Sequence, residues 1–120
     1  MSIKKIVIDF YKSDALINPD IMDTFLHPDI QVEWRSSRGT INMDRQDILE
    51  LATELGKAYV RSKVRISQMV KEGDTIAVYY SHYIKTVENP REEMLLAHFM
   101  AFWEIKDDKL FKGYQISQLP

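Results

Sequence analysis

Leu95-Leu96-Ala97-His98-Phe99-Met100-Ala101-Phe102-Trp103-Glu104-Ile105 is the segment that decides the fold. It is rich in aromatic and β-favouring residues, and Lys106-Asp107-Asp108 closes it as a turn, so the spacing predicts a strand. Alternation puts Phe99, Ala101, Trp103 and Ile105 on one face and His98, Met100 and Phe102 on the other. Both faces are therefore apolar. A sheet with one face in water is polar on that side, so two apolar faces require two covers.

Working outward from this strand, Leu110 to Ser117 reads as the last strand, and Glu88-Asn89-Pro90-Arg91 as the preceding loop. Thr75 to Thr86 is a strand that places Tyr79 and Tyr83 opposite in facing to Val78 and Tyr80. Lys71-Glu72-Gly73-Asp74 joins it to a strand over Val64 to Val70. Consecutive strands joined by short turns form an antiparallel meander.

The N-terminal half changes period. Ser2 is a helix cap, and Ile3, Ile6, Val7, Phe10 and Tyr11 form one helical stripe. Asn18-Pro19 starts a second helix, with Ile21, Met22, Phe25 and Leu26 inside, and His27-Pro28 stops it. Ile30, Val32 and Trp34 alternate with Gln31, Glu33 and Arg35 as a half-buried strand, and Ser36-Ser37-Arg38-Gly39 turns the chain. Asp44 caps a third helix with Ile48, Leu51, Ala52, Leu55, Ala58 and Tyr59 as its buried stripe. The expected fold is α+β: a curved antiparallel sheet wrapped around three helices, as a cone-shaped roll with a cavity at its open end. No linker or repeat divides residues 1–120, so a single domain is expected.

Composition narrows the chemistry. The 120 residues are 45% hydrophobic and 28% charged, enough for a core and a solvated surface. The net charge is −2 with both signs mixed, which argues against nucleic acid and anionic membranes as partners. There is no cysteine, so disulfides and thiolate chemistry are excluded. Met1-Ser2-Ile3-Lys4-Lys5 runs directly into an amphipathic pattern and does not read as a signal peptide, and no apolar run is long enough to span a bilayer. A cytoplasmic protein is the expectation.

The element order, together with Phe25-Leu26-His27-Pro28-Asp29-Ile30, Gly73-Asp74-Thr75-Ile76-Ala77-Val78 and Phe102-Trp103-Glu104-Ile105-Lys106-Asp107-Asp108-Lys109-Leu110, resembles the nuclear transport factor two-like superfamily. This group includes SnoaL-like polyketide cyclases and ketosteroid isomerases. The resemblance implies the cystatin-like roll but not one function, because the fold hosts enzymes, binding proteins and assembly modules. It also subtracts chemistry. Where a ketosteroid isomerase carries its base, this chain matches Trp34, and its two oxyanion donors fall near Phe10 and Ala101. The acid–base aspartate of SnoaL-like cyclases matches Gln115, which does not titrate. Neither activity is expected.

Tyr80, His82 and His98 are the catalytic candidates. If the hairpin midpoint is Pro90, the two histidines sit opposite and share a face; a one-residue slip sends one of them to the convex side. No third ligand accompanies them, so no metal site is assigned. The chain also resembles scytalone dehydratase, whose tyrosine–histidine network holds a water without a carboxylate base. That resemblance implies a cofactor-independent lyase or isomerase working through these side chains. Taken singly, each tyrosine reads better as a core aromatic with a satisfied hydroxyl. Tyr11, Trp34, Tyr59, Phe99, Trp103 and Tyr114 are the expected ligand-binding residues, suited to a small apolar or aromatic ligand. Tyr79, Tyr83, Met100 and Phe102 on the convex side are the expected homodimer contact. Three functions follow: a small-molecule-binding homodimer, a dehydratase-like enzyme, or a noncatalytic assembly module whose cavity is plugged by its own side chains.

Overall fold

Local chemistry fixes the helices in the computed structural model, which describes residues 2–120. The Ser2 hydroxyl accepts from the Lys5 amide at 3.1 Å and starts α1 (Ile3–Lys12). The stripe Ile6, Val7, Phe10 and Tyr11 is buried as expected. Asn18 accepts from the amides of Asp20 and Ile21 to start α2 (Pro19–Phe25), with Pro19 in the first turn. In α3 (Arg45–Ala58), Asp44 and Asp47 cap each other's backbone amides at 2.9 and 3.1 Å. Ile48 and Ala52 are buried, and Leu51 and Leu55 are half-buried. None of these helices is long and apolar enough to cross a membrane.

Two helix ends depart from the sequence reading. Leu26 leaves α2 and opens β1 (Leu26–Ser36), where it is buried against its partner Leu110. Tyr59 leaves α3 and opens β3 (Tyr59–Glu72), while Ala58 is exposed. A strand absent from the sequence reading, β2 (Gly39–Met43), forms a hairpin with β1. Only Met43 of β2 is buried, and its alternation is just Ile41 and Met43, a short signal next to the Asp44 cap. The remaining strands are β4 (Thr75–Thr86), β5 (Met94–Lys106) and β6 (Lys109–Gln118).

The sheet order is β2-β1-β6-β5-β4-β3, open at both edges. The β3–β6 meander is antiparallel as expected, but β1 pairs with β6 in parallel. The long excursion through β2, α3 and three strands makes that parallel return possible. Register shifts interrupt the ladders between Ile66 and Gln68, between His82 and Tyr83, and between Glu104 and Ile105. Bulges of this kind bend strands and increase twist, which curves the sheet. Asp107 and Asp108 both have positive φ, 54° and 59°, as the two-residue turn between β5 and β6 requires.

The helices pack on the concave face. Phe10 meets Trp103 edge-on at 5.9 Å, and the Trp103 Nε1–H donates to the buried Tyr11 hydroxyl at 2.7 Å. Gly113 makes room for that indole: a Cβ there would stand 2.5 Å from the Trp103 ring. These contacts close one end of the cone and leave the other end open.

Candidate functional site

The open end holds a cavity of about 540 Å³. Its aromatic wall is Trp34 from β1, Tyr59 from β3 and Phe99 from β5. Leu51 and Leu55 of α3 supply the opposite, aliphatic wall. Polar groups reach the cavity from Tyr80 and His82 on β4 and from Gln115 and Ser117 on β6. The Tyr80 and Phe99 rings stack at 5.0 Å with 7° between planes, which fixes a flat surface. Trp34 is held by its Nε1–H, which donates to the Ser117 hydroxyl at 2.8 Å. His82 is held by Ser62, whose Oγ lies 2.7 Å from Nε2.

The site is electrically neutral except at its mouth. No carboxylate lines it, and its one charged side chain is Arg38, on the turn between β1 and β2. Burial pushes the His82 imidazole down to about 4, so it is uncharged at neutral pH. Burial also holds the Tyr80 phenol well above its ordinary value, and the adjoining Tyr11 raises it further. Tyr11 itself is pushed up to about 12 by burial, against the opposing hydrogen bond from Trp103. Both phenols stay protonated. The Tyr80 hydroxyl is engaged with Tyr11 beneath it, so the arrangement can exchange a hydrogen bond at His82 and stack a flat apolar body on the Tyr80 and Phe99 rings. Among the described residues no group of three or more His, Asp or Glu side chains is placed to hold a metal ion.

Comparison with known proteins fits this geometry. The family model described as a SnoaL-like domain matches residues 9–112. The chain belongs to the SnoaL-like family. AusH from Aspergillus nidulans superposes with a TM-score of 0.80 at 10% identity, covering 96% of this chain and 82% of that one. IdmH, a candidate polyketide cyclase of Streptomyces antibioticus, gives 0.76 at 12% identity over 98% of this chain and 92% of its own. A protein with a ketosteroid isomerase-like fold from Catenulispora acidiphila, crystallised with trimethylamine, gives 0.70 at 14% identity over 92% and 82%. Identities this low establish the shared fold alone. A search of curated proteins finds no match to the sequence.

Within this SnoaL-like domain, the structure brings Trp34, Tyr59, Tyr80, His82 and Phe99 together around the cavity. Four other expected residues lie elsewhere. Tyr11 and Trp103 are sealed in the core beneath it, bonded to each other. Tyr114 is 51% exposed on the convex side, because it alternates with the inward Gly113 and sits opposite Phe102. His98 also faces outward, with its Nδ1 2.9 Å from the Ser81 hydroxyl. The pairing is Ser81 with His98 and His82 with Ala97, so the two histidines are not opposite. Counting back evenly from Pro90 misplaced them, because the pairing nearest the loop, Ile84 with Met94, is centred on Asn89, and the shift between His82 and Tyr83 makes up only part of that offset. Of the positions matched to relatives, Phe10 and Ala101 lie in the core, Trp34 in the cavity wall, and Gln115 on the cavity surface. Sequence reasoning did not select Ser117 or Leu96. Ser117 shares its inward parity with Gly113 and Gln115, a signal that became readable once β6 was in register.

Proposed function

We propose that this protein binds a small, flat, apolar or aromatic molecule in the cavity, as a homodimer, without ketosteroid isomerase or polyketide cyclase chemistry. The observation that carries this reading is an open cavity of about 540 Å³ with an aromatic wall, neutral polar groups and no carboxylate. An enolate-forming reaction needs a strong enough base near neutral pH; the cavity offers no carboxylate, and His82, held down to about 4, is a weak one. Trp34 lines the wall and Trp103 stays in the core, so neither plugs the space, which disfavours a purely structural module. The trimethylamine bound to the Catenulispora relative fits a fold that accommodates small molecules.

The dimer rests on the other face. Tyr79, Met100, Phe102, Tyr114 and Ile116 form an apolar surface on the convex side, each 44–60% exposed. Contiguous apolar surface of this kind marks an interface, and a second copy related by a twofold axis would bury it. Sedimentation at micromolar concentration tests it, with a dimer expected and a monomer counting against it.

Calorimetric titration with 2-naphthol tests the ligand reading. A Kd on the order of 10–100 µM is expected for a ligand of this size. Leu55→Trp fills the cavity from α3 and is expected to weaken binding at least tenfold. Equal binding to both proteins would place the ligand outside the cavity.

One observation favours a second, enzymatic reading as a cofactor-independent lyase or isomerase. His82 faces the cavity with only its Nε2 engaged by a side chain, and Tyr80 stands on the same strand face. Dehydration of a cyclic hydroxy-ketone by wild type and by His82→Ala tests it. Equal rates would remove His82 from any mechanism.

A further inference from the structure

We infer that the cavity's ligand is an aromatic acid, seated with its carboxylate at the mouth against Arg38 and the hydroxyls of Ser36 and Ser37. The inference rests on the cavity being a ligand site, and it adds the ligand's charge and orientation. The cavity surface has a polarity axis. Arg38, Ser36 and Ser37 stand at the turn, Trp34, Phe99, Leu51 and Leu55 form the body, and Tyr80 and His82 contribute neutral polar groups.

Arg38 is free to meet an anion. Among the described residues it makes no ion pair, whereas Arg35 is engaged by Glu33 at 3.2 Å and Arg45 by Asp23. Arg35 also alternates with the inward Trp34 and belongs to the other side of the sheet. The Arg38 backbone is held in place: its amide donates to the Ser36 hydroxyl oxygen at 3.2 Å, and Ser36 pairs with Gly39 in the ladder. Gly39 has a φ of +112°, a conformation that side-chain-bearing residues rarely adopt. Because the Ser36 oxygen accepts from within the turn, its own hydrogen remains available to a ligand.

Desolvation sets the sign of the charge. Arg38 is exposed on the turn, so a neutral ligand seated at the mouth covers part of an unpaired guanidinium's hydration and returns nothing. A cationic ligand is repelled, with no carboxylate in the lining to offset the repulsion. A carboxylate restores the lost hydration with charge-assisted, two-pronged hydrogen bonds.

The test is calorimetric titration of 2-naphthoate and the uncharged 2-naphthamide into wild type, Arg38→Gln and Arg35→Gln at low salt. Wild type is expected to prefer the acid about fivefold to tenfold, in keeping with a partly exposed charged contact. Arg38→Gln is expected to abolish the preference and Arg35→Gln to keep it. The preference is also expected to shrink in 0.5 M salt. Equal binding of acid and amide to wild type, or a preference that survives Arg38→Gln, overturns the inference while leaving the cavity reading intact. Failure of both ligands to bind overturns the cavity reading and this inference with it.

Discussion

Phe102 and Trp103 are neighbours on one strand and have opposite fates. Trp103 is 6% exposed, bonded to Tyr11 and packed on Gly113; Phe102 is 53% exposed on the far side of the same sheet. The concave face is covered by helices of this chain, and among the described residues no element covers the convex face. Hydrophobicity alone therefore does not separate a core from an interface. Both faces carry large apolar side chains, and only the placement of the helices decides which are core.

Substitutions across this pair give the largest contrast. Trp103→Ala removes a core indole and is expected to cost about 3–5 kcal/mol in urea unfolding. Phe102→Ala is expected to stay within about 0.5 kcal/mol for the monomer. A large, concentration-independent loss at Phe102 would mean that the convex face is part of the folded core.

Acid sharpens the concave side next. Well above pH 6.5 the His82 imidazole is neutral in both the folded and the unfolded chain, so its contribution to stability is flat. As pH falls from 6.5 towards about 4, the unfolded chain takes up a proton that the buried ring refuses, and stability declines. The loss from this one group levels off at about 3 kcal/mol. Denaturation midpoints across this range are expected to show that decline, and His82→Gln is expected to flatten it. An unchanged pH profile in the variant would mean that the ring is more solvated than its position implies.

Gly113→Ala pushes a methyl into the Trp103 ring, and a loss of about 1–3 kcal/mol is expected. The smallest effect on folding is expected on the convex side. Met100→Glu, at a 59% exposed position, should change monomer stability by no more than about 0.5 kcal/mol while dissociating the dimer in sedimentation. A dimer that tolerates this charge uses another surface.

Much of this contrast was legible in the sequence. Helical spacing found Ile6, Val7, Phe10 and Tyr11, and period-two alternation found the two sides of β5. β2 was overlooked, because its alternation is only Ile41 and Met43, next to the Asp44 cap. The positions of His82 and His98 were not legible either, because the sequence marks the loop by Pro90 whereas the pairing nearest it is centred on Asn89. Tyr11 and Trp103 were readable as inward-facing, but inward covers both core and cavity. Which of the two applies depends on where α1 sits along the cone, a tertiary fact. Arg35 and Arg38 are both readable as rim arginines that could meet an acidic ligand, with solvated surface as the default, and only the fold separates them: Arg38 lines the cavity and Arg35 pairs with Glu33.

The two tryptophans allow the most direct test of the claim that the concave open end is the ligand site. Trp34 lines the cavity wall, and Trp103 lies in the core below it. In an amide-correlation NMR titration with 2-naphthol, the Trp34 indole N–H resonance is expected to shift saturably while that of Trp103 stays in place. A ligand that binds without moving Trp34, or that shifts only resonances of Tyr79, Met100 and Phe102, would contradict the account.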